Sequence, residues 1–471
     1  MNTKTRYFTA SVAAVVAAAV SGCAGPLDQR WDDPVYGSIQ DRYTEHDRQL
    51  AEPDADEPAP VTFGLDTLDA LSVEDAIRLT IDNSPQLRSA GYRVDAASGR
   101  VLQAGLYPNP MFSFGGEALG ANAGNAGETV YLIEQEIVLG GKLKNARNVA
   151  ESDRLAARAE FVAEEFAVAA RVSQAYYAAV SAQERLAKRQ ELSALASQLL
   201  EAAASRVDAG SATLPDKLRA EVVYEQAMIE LDAAQFAAKA AKQSLASAIG
   251  LEEPIEMPLI SSVDQLPVLP SREELMVATL EANSRISLAR LAIVRAKQAH
   301  KLAKSQSVPN LIASVGPRYS DIDNESTVDV GLGFRIPLFD RNQGEIQATL
   351  SERLSASAQL RSVQLELLDE VSNAWAAYQS AYSAAGKYQN LLLPKAELTL
   401  DMTRQMYQSQ KTNYLRLLDA QQVVIESRIA YVNTLQQLHS AAALLNELSQ
   451  THAPWRDPRT QDQPYMEGNQ E

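Results

Sequence analysis

Thr327-Val328-Asp329-Val330-Gly331-Leu332-Gly333-Phe334-Arg335-Ile336 alternates without a break. Val328, Val330, Leu332, Phe334 and Ile336 fall on one face of an extended chain. Asp329, Gly331, Gly333 and Arg335 fall on the other. A period of two is the mark of a β-strand with one apolar and one wet side. Upstream, Leu311 to Ser320 reads as its hairpin partner, with the acidic stretch Asp321 to Ser326 as the connection.

The same arrangement occurs about 200 residues earlier. Met111 to Ala118 and the stretch around Tyr131 to Ile137 are expected as strands, joined by the Gly- and Asn-rich Gly120 to Gly127. Tyr131, Ile133 and Ile137 oppose Glu134 and Glu136, and Gln135 interrupts the apolar face. Four anchors tie the halves together. Asn83-Ser84 matches Asn283-Ser284, and Pro108-Asn109 matches Pro309-Asn310. Ile137-Val138-Leu139 matches Ile336-Pro337-Leu338. Val172 to Tyr176 matches Val371 to Trp375. An offset that stays between 199 and 201 identifies a duplicated unit.

Helices flank each hairpin. Residues 71–105 and 271–306 recur at helical spacing, with Ser72 and Ser271 as N-caps, and each should end at its Pro-Asn pair. Long helices follow, from about Asn145 to Ala209 and from about Gln343 to Ser409. At ~1.5 Å per residue, roughly 65 residues extend about 100 Å. Val162, Phe166, Ala169, Val172 and Tyr176 step by three and four, as in a coiled-coil seam. Pro394 should kink or interrupt the second long helix near its far end. Turns at Ala209-Gly210-Ser211 and Ser409-Gln410-Lys411 lead into shorter returning helices. The expected fold class is mainly α with a small β part.

The chain begins with Lys4 and Arg6, an apolar stretch from Tyr7 to Val20, and small residues before Cys23, the sole cysteine. This reads as an export signal over residues 1–22. Its end resembles the bacterial lipobox, which makes Cys23 the expected lipid attachment point. Residues 23–62 read as a polar tether and 450–471 as a polar tail. Between them lie repeats at 63–250 and 271–449, joined by a Pro-rich connector at 251–270. No later apolar run is long enough for a membrane helix. A membrane crossing would have to use strands, and four strands cannot close a barrel, so several chains must pool them.

With a net charge of -17, the chain would be repelled by a nucleic-acid backbone. His46, His300, His439 and His452 are scattered, and no Gly-rich phosphate loop opens a helix. No catalytic residue, metal site or cofactor is expected, and the chain reads as no enzyme.

From Leu71 to Leu448 the sequence resembles the TolC family of outer-membrane efflux proteins. The resemblance rests on Asn83 to Leu87, Gln103 to Pro110, Pro337 to Gly344 and Leu418 to Gln422. It implies a homotrimer with a shared outer-membrane β-barrel over a periplasmic α-barrel. It also implies docking to a periplasmic adaptor (membrane fusion protein) and an inner-membrane pump of RND type. The outer-membrane lipid would surround the barrel. Leu139-Gly140-Gly141-Lys142 further resembles the CzcC-like heavy-metal branch, which usually continues with Arg where this chain has Leu143. The resemblance places a periplasmic gate at Asp419, with Arg416 where the family has a second Asp and Asp216 at the comparable place in the first half. Outside the duct of an efflux system, two readings share features: a duct for type I protein secretion and a periplasmic adaptor lipoprotein.

Overall fold

The computed structural model describes residues 69–120, 126–211, 213–260, 265–320, 325–409, 411–412 and 414–451, without the side chains of 118–120, 126 and 414. The signal segment 1–22, Cys23 with the whole tether 23–62, most of the tail and the two hairpin tips lie outside them. In chain order the helices are α1 (Val73–Asn83), α2 (Pro85–Ala104), α3 (Lys142–Asp208) and α4 (Leu214–Ile249) in the first half. The second half has α5 (Arg272–Ala282), α6 (Ser284–Gln306), α7 (Gln343–Lys387), α8 (Leu393–Gln408) and α9 (Tyr414–Ser449). The strands are β1 (Met111–Gly120), β2 (Ala126–Ile137), β3 (Leu311–Ser320) and β4 (Glu325–Phe334).

The helices expected over 71–105 and 271–306 are each two. Pro85 occupies the first turn of α2 and has no N–H to continue α1. The chain turns out at Ser84 (ψ 122°), whose hydroxyl accepts the Leu87 N–H. The second break has no proline. Asn283 (ψ 130°) ends α5, and its side chain accepts the Arg285 N–H to start α6. Both breaks fall on the Asn-Ser anchors. Ser72 and Ser271 cap α1 and α5 as expected. Pro394 has the expected effect: a five-residue π turn, Tyr388–Leu392, separates α7 from α8. A wider turn lets the helix pass a residue that has no N–H and collides with the carbonyl four places back.

The core is built at the waist, where α1, α3, α4, α5, α7 and α9 meet the connector. Phe166, Ala169, Val172 and Tyr176 are all buried, so the three-four stepping marks a true seam. The Tyr176 hydroxyl lies 2.8 Å from both the Leu71 and Ile260 carbonyls and ties α3 to the connector. Burial is the first cause that pushes this phenol up to about 12, with the neighbouring Tyr177 and Glu74 adding to it. The anchor alignment matches Tyr176 to Trp375, but the residue that repeats its task is Tyr378, one turn on. Its hydroxyl donates to the Pro267 carbonyl at 2.7 Å, while Trp375 packs beside it.

All four strands form one antiparallel sheet in the order β1-β2-β3-β4. β4 stops at Phe334, so Arg335 and Ile336 lie just past it. Pro337 follows and cannot extend the ladder. Pro317 also lacks an N–H, and the β2–β3 ladder skips Tyr131 and Leu132 opposite it. There the backbones approach so closely that a Cβ on Gly316 would sit 1.7 Å from the Tyr131 carbonyl oxygen.

Candidate channel wall and periplasmic tip

Strand register assigns every described side chain of the sheet to a face. Partners across a ladder share a face, and successive residues alternate. Phe112, Phe114, Tyr131, Ile133, Val315, Tyr319, Val328, Val330, Leu332 and Phe334 therefore occupy one side. Val330 is 75% and Leu332 73% exposed, an apolar surface far too continuous to face water. The opposite side carries Glu117, Glu128, Glu134, Glu136, Arg318, Glu325 and Asp329. In this register Val328 and Val330 lie on the face opposite Asp329, and Tyr131 on the face opposite Glu134 and Glu136. Arg335 belongs to neither face, since it is beyond the strand.

Arg318, on β3, gathers the wet side into one network. It bonds Asp329 of β4 at 2.8 Å, Glu117 of β1 at 2.8 Å, and Glu128 of β2. A single guanidinium thus touches an acid on each of the other three strands, using its fork of donors. Sequence reading missed this hub. Its signal was a lone arginine on an otherwise acidic face, but the pairings to Glu117 and Glu128 cross 201 and 190 residues and need the register.

At the foot of the sheet, Asn310 joins strand to helix. It donates to Glu136 at 2.6 Å and accepts from the Leu139 N–H at 3.3 Å and from the Lys142 ammonium. Gly140 and Gly141 turn the chain with φ of 73° and 70°, and a Cβ on Gly140 would collide with Val308. The Leu-Gly-Gly-Lys segment is thereby the joint between sheet and tunnel wall.

The far ends of the long helices carry the other candidates. Asp216 is exposed in the first turn of α4, where its carboxylate accepts the Thr213 hydroxyl at 2.7 Å and amide at 3.0 Å. Those two bonds hold its carboxyl below the usual range. Asp419 and Arg416 are exposed near the start of α9, beside buried Leu417 and Leu418. Among the described residues no group of three or more His, Cys, Asp or Glu could hold a metal ion. His439 is a seam residue, stacked on Tyr177 with ring centres 3.9 Å apart. No described helix is long and apolar enough to cross a membrane.

A sheet with one greasy and one acidic face, set on helices of up to 67 residues, defines a wall segment of an outer-membrane duct. The comparisons agree. The model of the outer membrane efflux protein family matches residues 76–251 and 275–449, once per repeat, and the chain belongs to that family. The cobalt-zinc-cadmium resistance protein CzcC of Cupriavidus metallidurans is 26% identical over 379 residues, spanning 80% of this chain and 90% of that one. The nickel and cobalt resistance protein CnrC of the same organism is 29% identical over 294 residues, 60% of this chain and 68% of that one. The outer membrane protein VceC of Vibrio cholerae has the same fold, with a TM-score of 0.65 at 21% identity over 80% of this chain and 95% of that one. The protein is an outer-membrane efflux channel with a long periplasmic helical portion.

Proposed function

We propose that three copies of this chain pool their sheets into a closed twelve-stranded barrel, and that the resulting duct passively carries divalent transition-metal cations out of the cell. The observation that carries the reading is the sheet itself. Among the described residues β1 and β4 each have a strand on one side only. An open edge leaves amides and carbonyls without partners in lipid, and only closure removes it. The metal cargo rests on the similarity to CzcC and CnrC and suits the acidic inner face, since fixed carboxylates raise the local concentration of cations.

In this reading the duct receives its cargo from a periplasmic adaptor and an inner-membrane pump of RND type. Asp419 and Arg416, with Asp216 beside them, narrow the periplasmic end, and the mixed charge there makes the constriction less acidic than a ring of aspartates alone. Cys23 carries the lipid, residues 23–62 tether it, and the repeats 63–250 and 271–449 build the wall on either side of the 251–270 connector. The test has two parts. The detergent-solubilised protein should have the mass of three copies, and a deletion strain should lose tolerance to zinc, cobalt, nickel or cadmium salts. A single-copy mass defeats the barrel, and unchanged tolerance to all four metals defeats the cargo.

A further inference from the structure

The two hairpins are related by a rule that the ladders obey residue by residue. Met111 pairs with Glu134 in the first hairpin, and Ile312 with Gly333 in the second. The first partner has advanced by 201 positions and the second by 199, the offsets of the Pro-Asn and Ile-x-Leu anchors. β2 and β4 are therefore equivalent strands, as are β1 and β3. The β2–β3 ladder inside one copy then has a counterpart between β4 of one copy and β1 of the next, whose outer edges pair with no strand among the described residues.

We propose that this copy-to-copy seam repeats the β2–β3 register, so that Phe334 lies opposite Phe112 and Leu332 opposite Phe114 of the neighbouring copy. The pairs follow from Gln135↔Ala313 and Ile133↔Val315 in the internal ladder. The proposal rests on the multi-copy reading above and adds its register. Side-chain direction is consistent with this register. Phe334, Phe112, Leu332 and Phe114 all belong to the apolar face, whereas a slip of one residue would turn one member of each pair into the lumen. The four side chains are now 63–73% exposed, and the seam would join them into an aromatic and aliphatic ladder on the lipid side. On the wet side the same rule maps Val130↔Arg318 onto Asp329↔Glu117. Two carboxylates would repel there, but each copy's Arg318 already holds both.

Cysteine pairing tests the register. Leu332→Cys/Phe114→Cys and Phe334→Cys/Phe112→Cys are the matched pairs. Val330→Cys/Phe112→Cys is four residues out of step, roughly 13 Å apart at ~3.3 Å per residue. Each pair is oxidised with copper phenanthroline in intact outer membranes, with single-cysteine variants as controls for Cys23. Within one copy β1 and β4 are separated by two strands, so a disulfide can form only between copies. The matched pairs should shift in denaturing gels from single-chain to two- and three-chain mobility, reversibly with reductant, and the mismatched pair should not. Equal cross-linking of the mismatched pair overturns the register. So does single-chain mobility of both matched pairs while the detergent-solubilised variants keep a multi-copy mass, which leaves the proposed assembly standing. A single-copy mass of the wild-type protein removes the assembly itself.

Discussion

Arg318 holds an acid on each of the other three strands, and replacing it with glutamine leaves three carboxylates crowded on one face. The side chain and its acids are open to solvent, so each lost pair is weakened by screening and the effect is carried by the network as a whole. Arg318→Gln should lower the temperature at which the detergent-solubilised multi-copy assembly dissociates, and the loss should shrink in high salt as screening replaces the guanidinium. Dissociation temperatures at low and high ionic strength check both points. Gly316 is a harder constraint, because any side chain meets the Tyr131 carbonyl. At the waist, Tyr176 titrates with a folded value of about 12 against 10.0 in an unfolded chain. Since the raised value favours the protonated phenol in the fold, its contribution is intact below pH 10 and is lost as pH rises through 12. Denaturation midpoints should therefore fall between pH 10 and 12, and Tyr176→Phe should flatten part of the fall. The faces of the strands were legible because alternation is local. The Arg318 hub was not, because its partners come together only through the register.

At the scale of elements, what decided legibility was whether the signal lay in consecutive residues. The strands came out within a few residues, since Pro337 and the hairpin tips bound them. The split of the entry helices did not, although Pro85 announced one of them. The second is made by an asparagine that ends one helix and starts the next, a dual role with no strong composition signal. The π turn ahead of Pro394 is a local accommodation, and its removal is testable. Pro394→Ala restores a donor, so residues 388–394 should relax to ordinary helix and their amides should exchange more slowly with deuterium. Unchanged exchange would mean that α9 packing, rather than the proline, imposes the turn. Leu435, 1% exposed at the waist, belongs to the shared core of both halves. Leu435→Ala should cost about 2–5 kcal/mol, read as a lower denaturation midpoint.

For the molecule as a whole, the duplication was the most readable property, since four anchors at one offset survive where individual residues have diverged. The periplasmic tip was least readable. Asp216, Asp419 and Arg416 were located by resemblance, since an exposed charge near the start of a helix carries no compositional signal of its own. Deleting Thr327 to Ile336 should abolish outer-membrane assembly while the helical core still folds, measured by membrane fractionation and circular dichroism. Cys23→Ser should misplace the protein without unfolding it. The bare edges of β1 and β4 have a consequence for timing. A lone copy has nowhere to rest in oil, so it must meet its siblings on the aqueous side before entry. The rate at which finished rings appear should then climb more steeply than the first power of the amount synthesised, and strong dilution should leave chains stranded in the periplasm.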